Sequence, residues 1–194
     1  GRLVEAFGPE AGGRVIVGHL GSGVSLCALD RGRSVATTMG FSALEGPPMS
    51  TRSGSIDPGV LLYLLQTRGY DTESLSELLY RRSGLLGVSG ESGDVRKLLA
   101  SRSPAAREAL ELFAYRIGRE VGGLAAALGG VDRMVFTAGV GENAPEVREA
   151  VAAHCRWLGL QLDPEANRAG TEQISRSDSR VQALVMRTDE QIII

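Results

Sequence analysis

Five short stretches hold the residue types from which a phosphate or nucleotide site is built. In "VGHLGSGVSLCALDRG", His19 ends an apolar run at Leu20, and Gly21, Ser22 and Gly23 follow. Alternating glycine lets backbone N–H groups come close to an anion, and an imidazole beside them adds a donor. The same residues also fit a Gly-rich hairpin turn beside a packed histidine. In "MSTRSGSIDP", Arg52 stands in a loop of small residues. There a guanidinium can meet two oxygens of an oxyanion at once, although a solvated loop arginine has the same local signature. In "SGESGDVRKLL", Asp94, Val95 and Arg96 lie where a Gly/Ser loop becomes a helix. That place suits an N-cap and a surface charge equally well. In "VFTAGVGENAPEVREAV", an apolar run passes through Gly139, Val140 and Gly141 to Glu142, Asn143 and a helix pattern. Strand, glycine turn and helix start together can bind an anion or nucleotide, and the two glycines read as backbone that takes positive φ or lies against a ligand. In "RTDEQ", Asp189 and Glu190 follow an apolar strand and could hold Mg²⁺ directly or through water, or simply be solvated acids.

The bulk composition narrows the classes. The 194 residues are 43% hydrophobic and 23% charged, as in an ordinary globular protein. A net charge of −2 gives no electrostatic case for nucleic acid or a membrane surface. Lys97 is the only lysine among 21 basic residues, so no Gly-Lys phosphate loop of the Walker type exists here. Any phosphate site must use arginine, histidine and backbone N–H groups. Cys27 and Cys155 are too few and too isolated for a disulfide framework or a zinc site, and Cys27 reads as a buried small hydrophobe. A reducing cytoplasm is the simplest compartment. No signal-peptide pattern is visible and no apolar run approaches a membrane span.

Positioning these stretches takes several elements. The first dozen residues read as a connector or a frayed end. "RVIVGHL", "VSLCALD" and "SVATTMG" read as three strands joined by "GSG" and "RGR" turns. Residues 41–57 have no period and form a long loop. Pro58 opens a helix capped by Asp57, and "TESLSELLYRRSG" is a second helix, capped by Thr72 and ended by Gly84. "LLGVSGESGD" reads as loop and "DVRKLLASR" as a short helix. A long helix spans Pro104 to Leu128, with Leu110, Phe113, Ile117, Val121, Leu124 and Leu128 on one stripe and Gly129 and Gly130 as its stop. That stripe suits a core face or a dimer interface. A strand "RMVFTAG", a helix "APEVREAVAAHCRWLG", a short helix near "PEANRAG" and a strand "RVQALVMRT" complete the chain. The order suits an α/β domain with a mixed sheet and helices on its faces. It is the order of a ribonuclease H-like lobe, and other mixed α/β folds fit the periodicity as well.

Taken together and in this order, the five stretches resemble the acetate kinase family, from about Arg14 to the end of the chain. The resemblance implies the acetate and sugar kinase, Hsc70 and actin superfamily. Its members have two ribonuclease H-like lobes with nucleotide between them. Residues 1–194 would form a single domain, the C-terminal nucleotide-binding lobe, with no counterpart here to the N-terminal lobe. The implied activity is phosphoryl transfer between ATP and acetate, giving ADP and acetyl phosphate. Propionate or butyrate kinase, or a non-catalytic nucleotide-binding module, are the alternatives. By resemblance, His19, Leu20, Gly21, Ser22 and Gly23 form the phosphate-binding turn, and His19 and Arg52 meet the transferring phosphoryl group. Asp94, Val95 and Arg96 line the nucleoside pocket, with Arg96 stacked on adenine. Gly139, Val140, Gly141, Glu142 and Asn143 form the adenosine-binding turn, and Glu190 associates with Mg²⁺. A homodimer is also implied. The sequence departs from the family pattern at Ser22, where Asn is usual, at Ser55, where Asp is usual, and at Gln191, where Glu is usual.

Overall fold

The structure, a computed structural model, describes residues 12–187. Its centre is a five-stranded sheet ordered β3-β2-β1-β4-β5. β1 (Arg14–Leu20), β2 (Val24–Asp30) and β3 (Arg33–Thr37) form an antiparallel meander. β4 (Arg133–Thr137) pairs parallel to β1, and β5 (Gln182–Val185) pairs parallel to β4. The β2–β3 connection places both Arg31 and Gly32 at positive φ, the conformation a two-residue hairpin needs to follow the strand twist.

Between β3 and β4 lie α1 (Pro58–Thr67), α2 (Thr72–Arg81), α3 (Gly84–Ser89), α4 (Val95–Ala100) and α5 (Pro104–Leu128). Between β4 and β5 lie α6 (Ala138–Asn143), α7 (Pro145–His154), a 3₁₀ turn (Arg156–Leu158) and α8 (Pro164–Ala169). Among the described residues, no helix is long and apolar enough to cross a membrane.

Side chains alternate across β1. Ile16 and Leu20 face the main core, while Val15 joins Val135 and Leu184 in a smaller cluster on the other face. α5 covers the main core with Phe113, Ile117, Val121 and Leu124, each worth about 1.5–3 kcal/mol when fully buried. The expected stripe is widened by Ala106, Ala109, Ala114, Gly118 and Ala125, while Leu110 and Leu128 stay partly buried at its margin. Small residues permit close approach: a Cβ on Gly118 would lie 2.5 Å from the His154 Cβ on α7. α5 is thus a core helix along this stripe.

Three local expectations change. The cap of α2 is Asp71, not Thr72. The Ser74 amide donates to the Asp71 carboxylate at 2.8 Å and the Asp71 amide donates to Ser74 Oγ at 3.0 Å, a reciprocal box that Thr72 cannot close from inside the helix. α2 ends at Arg81, and Gly84 starts α3 instead of stopping α2. The stretch read as loop is helical there because Leu85 is drawn into the core. Cys27 is only half-buried and its Sγ lies 3.2 Å from Ser34 Oγ, whereas Cys155 is fully enclosed and its thiol is pushed up to about 12 by burial. The Asp57 cap is as expected, accepting from the Gly59 amide at 2.7 Å.

The start of β1 is tied to the start of β4 by one ion pair. Arg14 Nη2 lies 2.6 Å from Asp132 Oδ1, its amide donates to Oδ2 at 2.8 Å, and its Nη1 donates to the Gly129 carbonyl. The Arg14 side-chain hydrogen bond holds the Asp132 carboxyl below the usual carboxylate range. A carboxyl depressed in the folded state contributes stability above its unfolded value of about 3.9 and loses it as pH falls through the folded value. Both side chains are more than a third exposed, so solvent screens the pair and its contribution is small. Asp132→Asn should therefore lower stability modestly at pH 7, and the gap from wild type should close as the pH is taken below 3.9. Urea denaturation at neutral and acid pH measures both, and a gap that persists at acid pH would remove the ion pair as its source.

Candidate nucleotide cleft

β1 and β4 run parallel and side by side, with His19 level with Thr137. Both strands therefore release the chain at the same end of the sheet, the position at which open α/β sheets take ligands. β1 leads into Gly21 and β4 leads into α6, and a Cβ on Gly21 would lie 3.6 Å from that of Ala138. Here an open cleft of about 700 Å³ is lined from four of the five stretches. Gly21 and Ser22 come from the first, Ser50 and Thr51 from the second, Asp94, Val95 and Arg96 from the third, and Gly139, Val140 and Asn143 from the fourth.

Residues 41–57 stay aperiodic but are firmly tied down. The Ser50 amide donates to the Ser22 carbonyl at 3.1 Å, the Leu85 amide to Met49 O at 2.8 Å, the Leu86 amide to Ser50 O at 3.0 Å and the Ser83 amide to Thr51 O at 2.9 Å. These bonds stitch the loop to the glycine turn on one side and to the α2–α3 junction on the other. Ser55, at the position where the family has Asp, accepts from the Gly46 amide and donates to Glu45 Oε1, so a carboxylate still meets this corner of the loop.

The half-buried Arg52 leaves this loop toward the glycine turn, its Nη1 3.8 Å from the point where a Cβ on Gly23 would sit. Among the described residues its acceptors are distant: Ala43 O at 3.4 Å and Met49 Sδ at 3.8 Å. Among the described residues it forms no ion pair. Its charge is therefore uncommitted beside a turn of small residues, which is the condition for receiving an anion. His19 Nε2 lies 3.7 Å from the corresponding point on Gly21. Arg52 and His19 thus flank the turn without lining the cleft. Leu20 is fully buried in the main core, so only its backbone is at the turn.

Asp94 caps α4 and also holds Arg96, accepting from its amide at 2.9 Å and from Nη2 at 2.8 Å. The Arg96 side-chain hydrogen bond draws the Asp94 carboxyl below its usual range. The guanidinium is thereby pinned as an exposed plane at the cleft rim.

The fourth stretch departs from its expected conformation. It is not an open turn but the short helix α6, and the positive φ falls on Ala138, at +65°, not on Gly139 or Gly141. Of the two glycines, Gly141 serves contact distance instead. Nothing lies within 4 Å of a Cβ on Gly139, which keeps that side of α6 open, and Gly141 packs on the Phe136 backbone and Leu20. Gly141 and Glu142 are outside the cleft lining, which takes Gly139, Val140 and Asn143 from this element.

Sequence reasoning missed Ser50, Thr51, Gly93, Leu99 and Ala144 as cleft residues. Ser50 and Thr51 directly precede Arg52. Leu99 is three residues beyond Arg96 on α4 and partly exposed, so helical spacing carried a signal for it. Gly93 had none: a Cβ there would strike the Ser50 carbonyl at 2.5 Å, a contact between segments distant in sequence.

Among the described residues, no three of His, Cys, Asp and Glu gather as a metal-binding set. The one carboxylate lining the cleft, Asp94, is engaged by Arg96. The described residues therefore gather no metal-binding set by themselves. Glu190, the residue assigned to Mg²⁺ by resemblance, lies outside the described residues, as do Asp189 and Gln191.

A mixed sheet of this order, with crossover helices and a cleft at the ends of its parallel strands, defines a ribonuclease H-like lobe of the actin-like ATPase class. The chain belongs to the Acetokinase family, whose sequence profile matches residues 4–194. It is 55% identical over 197 residues to an acetate kinase of Rhodopseudomonas palustris (strain TIE-1), a match covering 100% of this chain and 50% of that protein. The crystal structure of Porphyromonas gingivalis acetate kinase superimposes with a TM-score of 0.90 at 38% identity, over 97% of this chain and 49% of that one. A propionate kinase from Francisella tularensis subsp. tularensis SCHU S4 superimposes with a TM-score of 0.86 at 33% identity, over 91% of this chain and 46% of that one. The chain spans about half the length of the curated relatives it matches.

Proposed function

We propose that this chain is the nucleotide-binding lobe of an acetate kinase and acts in reversible phosphoryl transfer between ATP and acetate. The observation that carries this reading is the convergence of four separate stretches on one cleft at the ends of β1 and β4. An acetate oxygen would form a bond to the γ-phosphorus while the bond to the β–γ bridging oxygen breaks, leaving ADP and acetyl phosphate. Such a transfer needs positioning and charge neutralisation more than covalent help from the protein. Arg52 and His19, at the glycine turn, are placed to meet the oxygens of the phosphoryl group, and the turn itself takes the nucleotide phosphates. Asp94, Val95 and Arg96 on one wall and Gly139, Val140 and Asn143 on the other receive the nucleoside, with the Arg96 plane offered to the base. Mg²⁺ would bridge the nucleotide phosphates, with Glu190 the acid that the family resemblance assigns to it. A partner lobe supplies the acyl site, a second copy makes the working homodimer, and the compartment is the cytoplasm. The propionate kinase neighbour keeps a longer acyl acceptor as a second reading.

Calorimetric titration of the folded chain with Mg-ADP tests the proposal. One-site binding is expected, weakened in Arg96→Ala because the base loses its stacking plane, by about 1 kcal/mol or a little more. No binding by the folded chain would overturn the cleft as a self-sufficient nucleotide site. An unchanged dissociation constant in Arg96→Ala would remove that residue from the pocket.

A further inference from the structure

The cleft does not account for Arg148. It lies on α7, is 1% exposed, and is the largest fully enclosed side chain among the described residues. Its guanidinium makes four hydrogen bonds. Nη1 donates to the carbonyls of Gly141 and Glu142, both at 2.9 Å, Nε donates to Asn167 Oδ1 at 2.8 Å, and Nη2 donates to the Asn167 carbonyl. None of the acceptors is a carboxylate. Burying a cation against neutral partners carries a desolvation cost, and that burial lowers the Arg148 pKa from the ordinary arginine value.

The acceptors show what is held at that cost. Gly141 and Glu142 lie in the last turn of α6, where carbonyls lack partners within the helix and where a cation is electrostatically favourable. A six-residue helix has no stability of its own, so tertiary contacts must set its position. Gly139, Val140 and Asn143, on the same helix, line the cleft. The other end of the clamp is also fixed. Asn167, on α8 and buried, donates through Nδ2 to the Pro145 carbonyl at 2.9 Å, and its amide donates to Asp163 O.

We propose that Arg148 is a positioning residue for the nucleotide cleft: from behind α6 it grips the Gly141 and Glu142 carbonyls and so sets Gly139, Val140 and Asn143 against the bound nucleoside. The inference rests on the reading of the cleft as a nucleotide site. Arg148 itself touches no ligand. Its effect passes through α6, and the Asn167 contact makes α8 part of the same support.

The test uses the full chain as Arg148→Lys and Asn167→Ala, with circular dichroism for folding. Mg-ADP titrations are run well below each melting temperature, so that unfolding does not enter. Arg148→Lys keeps the charge but cannot reach both α6 carbonyls and Asn167 together. Its dissociation constant should rise about tenfold, with faster exchange of the Ala144 amide, which donates to Val140 O at the end of α6. Asn167→Ala removes one acceptor of Arg148 and the Nδ2 donor to the Pro145 carbonyl, leaves the grip on the α6 carbonyls, and should give a smaller rise in the same direction. It carries the test if Arg148→Lys does not fold. A folded variant with wild-type affinity would overturn the inference even if Ala144 exchanged faster, because the support would then be structural only. A wild-type chain that fails to bind Mg-ADP would overturn the cleft as a self-sufficient nucleotide site, and the role of Arg148 in binding by this chain with it. Binding by the wild type and by both variants alike would overturn the Arg148 inference alone.

Discussion

Arg52→Ala should lower the rate of acetyl phosphate formation by about a hundredfold or more while leaving the affinity for Mg-ADP nearly unchanged. The rate is measured with this chain assembled with an acyl-binding lobe, and the affinity by calorimetry. The reason lies in what surrounds the guanidinium. It is half-buried beside Gly23, its nearest acceptors are a carbonyl at 3.4 Å and a thioether at 3.8 Å, and no carboxylate pairs with it among the described residues. A cation committed to an ion pair would have to break that pair to serve a ligand. This one need not, and so under the proposed function it is already organised for charge that would develop on the phosphoryl oxygens during transfer. It does not line the nucleoside part of the cleft, which is why affinity should hold. Arg52→Lys should recover only part of the rate, since an ammonium offers a point charge in place of a two-pronged donor. Turnover of Arg52→Ala within a few-fold of wild type would end the assignment. A large loss of ADP affinity would instead make Arg52 a ground-state binding residue.

The parts of this fold that could be read from sequence are those set by local periodicity. The β1–β2–β3 meander follows from β-branched runs broken by glycine turns, and α5 from an apolar stripe with Gly129 beyond it. The cleft residues Gly21, Ser22, Asp94, Val95, Arg96, Gly139, Val140 and Asn143 sit in stretches whose glycines and charges marked them, and the structure adds that they share one space. What could not be read depends on contacts between distant segments. Nothing local distinguishes Arg148 from a solvated helix arginine, because its burial is decided by Asn167, 19 residues away. Ala138 takes a positive φ beside two glycines that do not, since the parallel strands fix where the chain must bend. Asp71 and Thr72 are adjacent residues of capping type, and only the reciprocal bond with Ser74 chooses between them. Gly84, read as a helix stop, is the first residue of the next helix.

That glycine gives the largest expected stability effect. Gly84→Ala should destabilise the chain by about 4 kcal/mol, lowering the melting temperature by about 10 °C. Two separate costs add. Gly84 has φ +60°, which an alanine adopts only at about 1–2 kcal/mol. An added Cβ would also lie 2.2 Å from Met49 O and 2.6 Å from Arg52 O. Both neighbours are backbone and cannot rotate away, so the loop from Met49 to Arg52 would have to move as a unit. The same loop accepts the Leu85 amide through Met49 O and donates the Ser50 amide to the Ser22 carbonyl, so its displacement would loosen the glycine turn as well as Arg52. Gly90→Ala separates the two costs. Gly90 has φ +67° and nothing within 4 Å of an added Cβ, so it should show the backbone penalty alone, about 1–2 kcal/mol. Paired thermal melts of the two variants decide the matter. Equal losses would mean that the loop yields without resistance, and the Met49–Arg52 segment could not then be the rigid mount on which Arg52 depends. A loss at Gly84 well beyond that at Gly90, with phosphoryl transfer falling further than the unfolded fraction explains, would place Gly84 among the residues that hold Arg52 at the turn.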